Sequence, residues 1–141
     1  MEFGVNLNNR EPLITSDYTL ADLLDLAELA EQRGFGSVWV GDSLFSKPRY
    51  EPISLLSAIS QRTSRARLGT ACLVTSTRNP LYLALEWATL DQKSGGRTVL
   101  GASEAGVDHF ICRFGALDQF GQVERFAAEV RPALEEKGSE S

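Results

Sequence analysis

The sequence predicts an α/β fold on a mainly parallel sheet. Strand-like and helix-like runs alternate, the connections between them are short, and prolines and glycines fall where helices should begin and end. Repeated strand–helix units with short loops give parallel strands joined by right-handed crossovers.

The elements follow in order. "EFGVNL" (2–7) alternates as a short strand. Thr19 is placed to cap the helix "LADLLDLAELAEQR", in which Leu20, Leu23, Leu24, Ala27 and Ala30 form an apolar stripe, and Gly34 suits a left-handed stop. "SVWVGD" (37–42) is nearly continuous apolar sequence, as expected of a strand covered on both faces. After the polar loop "SLFSKPRYE", Pro52 opens the helical "ISLLSAISQRT". "ARLGTACLV" (66–74) is a third strand, followed by the loop "TSTR". Asn79 and Pro80 start "LYLALEWATLDQKS", and Gly95–Gly96 ends it. "RTVLGA" (97–102) and "VDHFICRF" (107–114) are a fourth and fifth strand. "GQVERFAAEVRPALEEK" is the last helix, bent near Pro132.

Composition narrows the function classes. The chain has 141 residues, enough for one domain with a substantial core; 43% are hydrophobic and 23% charged, ordinary for a globular protein. A net charge of -5 without a Lys/Arg block argues against nucleic acid or an anionic membrane as partner. No stretch reads as a secretory leader or reaches membrane-spanning length, so a cytoplasmic protein is expected. Cys72 and Cys112 lie far apart in apolar runs and read as buried free thiols. A single histidine excludes a His-based metal cage, and no metal is expected. "GASEAG" carries neither the G-x-G-x-x-G fingerprint nor a P-loop.

Four segments, in order, carry a resemblance: "RGFGSVWVGDSL", "PRYEPISLLSAISQRTSRARLGTACL", "RNPLYLALEWATLDQKSGGRTVLG" and "VDHFICRFG…FAAEVRPAL". Together they resemble the bacterial luciferase-like family of flavin- or deazaflavin-dependent oxidoreductases, and the likeness covers nearly the whole chain. It implies a (β/α)8 barrel fold, FMN or a deazaflavin coenzyme, and hydride transfer or monooxygenation of a small organic substrate. The "GGR…LG" strand resembles the family's fourth and the "GVDHFICRFG" strand its eighth. The chain therefore reads as one truncated domain (1–141): units one to four (1–102), then the last strand and helix (107–136). The expectation is a partial (β/α)8 barrel of five mainly parallel strands and four helices, without units five to seven.

In such a fold, sites gather at the C-terminal ends of strands. That selects Asn6, Asp42, Ser43, Thr70, Ala71 and Cys72 as candidate cofactor-binding residues. In the family, Asp42–Ser43 would lie near the ring system of the cofactor; a capping or loop role is the other reading. The family also carries a non-prolyl cis peptide bond at the position of Ala71–Cys72. A plain buried strand is the alternative there, and loss of half the enforcing barrel favours it. Weaker substrate candidates are Arg49, a loop cation able to meet a phosphate or acidic substrate or simply to be solvated; Glu104, in the hinge; and His109 and Arg113, which share one face of the last strand by period-two alternation. No residue is singled out as catalytic.

The hinge between the fourth and fifth strands is the anomaly. "SEAG" is too short for a parallel crossover, so the two strands are antiparallel neighbours or not neighbours at all. With units five to seven removed, the expected strand order is 8-1-2-3-4. Its two edges would lie roughly 19 Å apart in a flat sheet at ~4.8 Å per strand. Six residues reach at most ~20 Å without any return along the strands. A curled sheet, a repositioned or swapped last unit, or a homodimer through the exposed edges is expected. Two functions remain: an oxidoreductase, or a non-catalytic half-barrel relic that binds a ligand or itself.

Overall fold

The computed structural model describes residues 2–42, 48–75, 78–101, 109–113, 119–125 and 127–128. The elements are β1 (Glu2–Leu7), α1 (Glu11–Ile14), α2 (Leu20–Gln32), β2 (Ser37–Val40), α3 (Pro52–Ile59), β3 (Arg67–Thr70), α4 (Pro80–Ser94), β4 (Thr98–Val99), β5 (His109–Arg113) and α5 (Gln119–Arg125). The five strands form one sheet in the order β4-β3-β2-β1-β5, and every pairing is parallel. This is the order expected of a barrel that keeps its first four units and its last. The fourth and fifth strands are not neighbours: β4 and β5 occupy opposite edges. The hinge residues 102–108, Glu104 among them, lie outside the described residues, as does Pro132 with its expected bend.

Helix ends follow local chemistry. Thr19 caps α2 in a capping box, its hydroxyl accepting from Asp22 N at 3.2 Å while the Asp22 carboxylate accepts from Thr19 N at 2.8 Å. Pro52 occupies the first turn of α3, and the cap is Glu51, whose carboxylate accepts from Ser54 N at 2.7 Å. The Asn79 side chain accepts from Leu81 N and Tyr82 N at the start of α4; Gly95, at φ 76°, ends it. The described residues contain five helical segments where four were expected. The extra one, α1, is a single turn opened by Pro12 in a segment with no apolar period to announce it. None of the helices described is long and apolar enough to cross a membrane.

Alternation divides the sheet into two faces. Phe3, Val5 and Leu7 of β1, Val38 and Val40 of β2 and Leu68 of β3 are buried against the helix layer. That layer supplies Leu23, Leu26, Ala27 and Ala30 from α2, Leu56 and Ile59 from α3, Leu90 from α4 and Val123 from α5. The α2 stripe is thus centred one position away from the expected one: Leu26 is buried, whereas Leu20 stands exposed at the first turn. On α4, Leu81, Tyr82 and Leu85 face solvent.

The opposite, concave face carries Gly4, Asn6, Ser37, Trp39 and Gly69. Trp39 is 7% exposed and donates from Nε1 to Ser37 Oγ at 2.8 Å. Its indole lies over the neighbouring strands. A Cβ on Gly4 would stand 2.7 Å from Trp39 Nε1, and one on Gly69 would collide with the six-membered ring. Gly101, just beyond β4 and two strands from β2, would place a Cβ 3.2 Å from Trp39 Cζ3. The indole therefore reaches across β3 toward the residue that follows β4.

At the N-terminal end of the strands, a buried carboxylate and a half-buried guanidinium hold the turn between α3 and β3. The Glu31 carboxylate accepts from Ser64 N (3.0 Å), Arg65 N (2.7 Å) and Ala66 N (2.6 Å), and from Ser64 Oγ (3.2 Å). The Arg97 guanidinium donates to Ala66 O (2.7 Å), Thr63 O (3.0 Å) and Ser60 O (3.1 Å) of the same turn. One group takes the amides of the turn and the other its carbonyls. Burial works to raise the Glu31 carboxyl; the amides of Ala66, Ser64 and Arg65 outweigh it and hold it below its ordinary value of 4.5. A depressed carboxyl contributes stability above its unfolded value, and that stability is lost as pH falls through the folded value. Glu31→Gln should therefore cost about 1–3 kcal/mol at pH 7. The gap from the unaltered chain should narrow as pH falls below 4.5, measured by urea unfolding across the acid range.

Candidate functional site

Three strand ends build the site. After β1, the chain turns through Asn8, Asn9 and Arg10, and Asn9 N donates to Leu7 O at 3.1 Å. After β2 come Gly41 and Asp42. After β3 comes Ala71, whose amide donates to Val40 O at 2.9 Å. The Ala71–Cys72 peptide bond is cis. The unbroken buried strand expected there is not found: β3 ends at Thr70, and the chain leaves the sheet through this bond.

Asn9, 2% exposed, ties the first two strand ends together. Its Nδ2 donates to Gly41 O (2.9 Å) and Tyr50 O (3.0 Å), and its carbonyl accepts from Tyr50 N (3.0 Å). These bonds bring the segment 48–50 back over the strand ends and with it Arg49. A Cβ on Gly41 would stand 2.9 Å from Arg49 Nη1, so the guanidinium passes directly over that residue. Together these residues line a cavity of about 220 Å³ walled by Asn6, Asn8, Arg10, Arg49, Asp42 and Ala71.

Asp42 is buried and held. It accepts from Val74 N at 2.9 Å and Arg78 Nη2 at 3.1 Å. Arg78 also donates from Nη1 to Glu51 Oε1 at 2.9 Å, so one guanidinium joins the end of β2 to the cap of α3. Burial works to raise the Glu51 carboxyl. The Ser54 amide and hydroxyl, the Ile53 amide and Arg78 outweigh it and keep it below the usual carboxylate range. One guanidinium thus holds both carboxylates, Asp42 in the cavity wall and Glu51 at the cap of α3.

Of the residues predicted from sequence, Asn6, Asp42, Ala71 and Arg49 meet in this cavity. Arg49, expected more as a solvated cation, is part of the wall. Thr70 does not line it: it pairs with Val40 in the helix-facing series, fully buried, and its hydroxyl has no hydrogen-bond partner. Cys72 is an exposed free thiol, not a buried one, because the chain has left the sheet before it. Ser43 and Glu104 lie outside the described residues, and so do the side chains of His109, Cys112 and Arg113. The β5 backbone sets His109 opposite Glu2 and Arg113 opposite Asn6. Sequence reasoning missed Asn8, Asn9, Arg10 and Arg78. The run "NNR" (8–10) follows directly on a strand, and the rule that selected Asn6 extends to it.

The family model described as luciferase-like monooxygenase matches residues 1–135. The chain is 31% identical over 133 residues to the alkanal monooxygenase beta chain of Photobacterium leiognathi, covering 91% of this chain and 40% of that one. It is 32% identical over 101 residues to the 5,10-methylenetetrahydromethanopterin reductase of Methanolobus tindarius, covering 72% of this chain and 28% of that one. The chain therefore spans well under half the length of either relative. Among solved structures, the coenzyme F420-dependent tetrahydromethanopterin reductase of Methanopyrus kandleri superposes with a TM-score of 0.59 at 26% identity, over 87% of this chain and 30% of that one.

The Asp42–Arg78 pair gives a direct test of the wall. Arg78→Ala leaves a buried carboxylate without its cation and should cost roughly 2–4 kcal/mol. Adding Asp42→Asn should recover part of that loss in a double-mutant cycle measured by urea unfolding.

Proposed function

Because the chain belongs to the luciferase-like monooxygenase family, we propose that it is an oxidoreductase that binds FMN or a deazaflavin coenzyme at the C-terminal ends of β1, β2 and β3 and acts on a small organic substrate. The observation that carries the reading is the cavity itself, set at the end of a parallel barrel sheet where such sites form. Its lining fits one wall of a flavin-type site. The Asn6 and Asn8 carboxamides and the backbone at Gly41 and Ala71 offer donors and acceptors to the polar edge of a ring system. When bound, the coenzyme supplies hydride transfer or, as a flavin, oxygen activation; the protein positions it.

The residues of this chain have distinct parts in that reading. Asn6 and Ala71 contact the ring system. Asp42, with Arg78 and the Val74 amide on its carboxylate, keeps the wall rigid. Trp39 closes the floor beneath Gly41 and keeps water from the concave side. Thr70 supports the wall from the helix layer. The free Cys72 thiol suits a reducing compartment such as the cytoplasm.

Two open edges support self-association. Among the described residues β4 pairs with β3 alone and β5 with β1 alone, leaving one side of each strand for another chain. Two copies related by a two-fold axis along the barrel would pair β4 of one with β5 of the other and enclose the concave faces. Light scattering at micromolar concentration should give the mass of a dimer; a monomer mass overturns this arrangement.

Calorimetric titration with FMN and, separately, with a deazaflavin coenzyme tests the main reading. At least one should bind with a dissociation constant below about 1 mM. If neither does, the oxidoreductase reading fails, and the half-barrel becomes a module that binds another ligand or only itself.

A further inference from the structure

The cavity at the strand ends is unequal in charge. Two guanidiniums line it, Arg10 from the turn after β1 and Arg49 from the segment before α3, with three asparagines beside them. Among its described lining residues the sole carboxylate is Asp42, whose Oδ2 receives both the Val74 amide and Arg78. Glu11, next in sequence to Arg10, accepts from Asn8 Nδ2 at 2.6 Å. Arg10 Nε is buried and, among the described residues, has no hydrogen-bond partner. A buried guanidinium N–H without an acceptor is an uncommon arrangement, because such donors are almost always paired.

The scaffold beneath the two arginines is built. Asn9, fully occupied by Gly41 and the Tyr50 backbone, locks the turn bearing Arg10 to the segment bearing Arg49. Arg49 crosses Gly41, where any larger residue would push it away. Planar guanidiniums recognise acceptors with two oxygens in one plane, and carboxylate and phosphate groups match that fork.

We infer that this cavity binds the oxyanion of an acidic substrate, a carboxylate or phosphate ester, with Arg10 as the principal donor and Arg49 as the second. The proposal rests on the oxidoreductase reading for calling the ligand a substrate. Anion binding is measured without coenzyme, so the two readings fail separately.

The test is calorimetric titration of the full chain at low salt with inorganic phosphate and, separately, acetate. At least one should bind saturably at roughly millimolar concentration or tighter. Arg10→Gln should weaken that binding by about tenfold or more. Arg10→Lys, which keeps the charge but not the fork, should fall between. Arg65→Gln, at an exposed arginine elsewhere, should bind as the unaltered chain does. Tighter phosphate binding assigns a phosphate ester; equal or tighter acetate binding assigns a carboxylate. Absence of saturable binding overturns the proposal, as does equal weakening by the Arg10 and Arg65 changes. Displacement of phosphate by FMN but not by riboflavin gives the site to the coenzyme and overturns the substrate assignment. If Arg10→Gln does not fold, Arg10→Lys decides: phosphate and acetate binding unchanged from the unaltered chain overturns the proposal.

Discussion

The Trp39 indole lies flat against strands that must carry no side chain beneath it, and the concave side of the sheet is arranged around that requirement. A closed barrel fills its interior with layers of side chains from alternate strands. With five strands the layers are incomplete, and one large aromatic covers what several residues would otherwise fill. Gly4 on one neighbour and Gly69 on the other accept it because a Cβ at either place would enter the ring. Ser37, on the same strand and face, satisfies its N–H. Gly101, just beyond β4, approaches the same ring.

The two ends of the sheet differ in what their charges do. At the N-terminal end, Glu31 and Arg97 spend their hydrogen bonds on the backbone of one turn. At the C-terminal end, Arg78 ties Asp42, in the cavity wall, to Glu51 at the cap of α3. The first arrangement stabilises, and the second gives shape to a site. The division matches the general character of barrels, whose lower face concerns stability and whose upper face carries function.

Much of the fold could be read from the sequence because its signals are local. Thr19, Pro52, Asn79, Gly34 and Gly95 mark helix ends by their own chemistry, and each sits where that chemistry predicts. The strand order came from the resemblance, since periodicity says nothing about which strands are neighbours. What escaped depends on distant partners. Arg78 reads as a loop cation until Asp42 and Glu51 stand on either side of it, 36 and 27 residues away in sequence. Asn9 reads as a turn residue until Gly41 and Tyr50 take its amide. Thr70 was chosen by its place at a strand end, but pairing with Val40 turns it into the helix layer. Cys72 was assigned to a strand that ends two residues before it.

The pairing of β1 with β5 has a consequence for how the chain assembles. Glu2 lies opposite His109 and Asn6 opposite Arg113, so the first strand completes one side with residues more than a hundred positions later in the chain. Until then β1 has only β2 beside it, and its other side is an unpaired edge. The units from β1 to α4 join neighbours close in sequence, whereas this seam closes a loop of more than a hundred residues at an entropic cost that rises only slowly with length. Non-local pairings of this kind slow folding. The ion pair of Arg33 at the end of α2 with Glu124 of α5 joins residues 91 positions apart, so the helix layer carries a long-range closure beside that of the sheet.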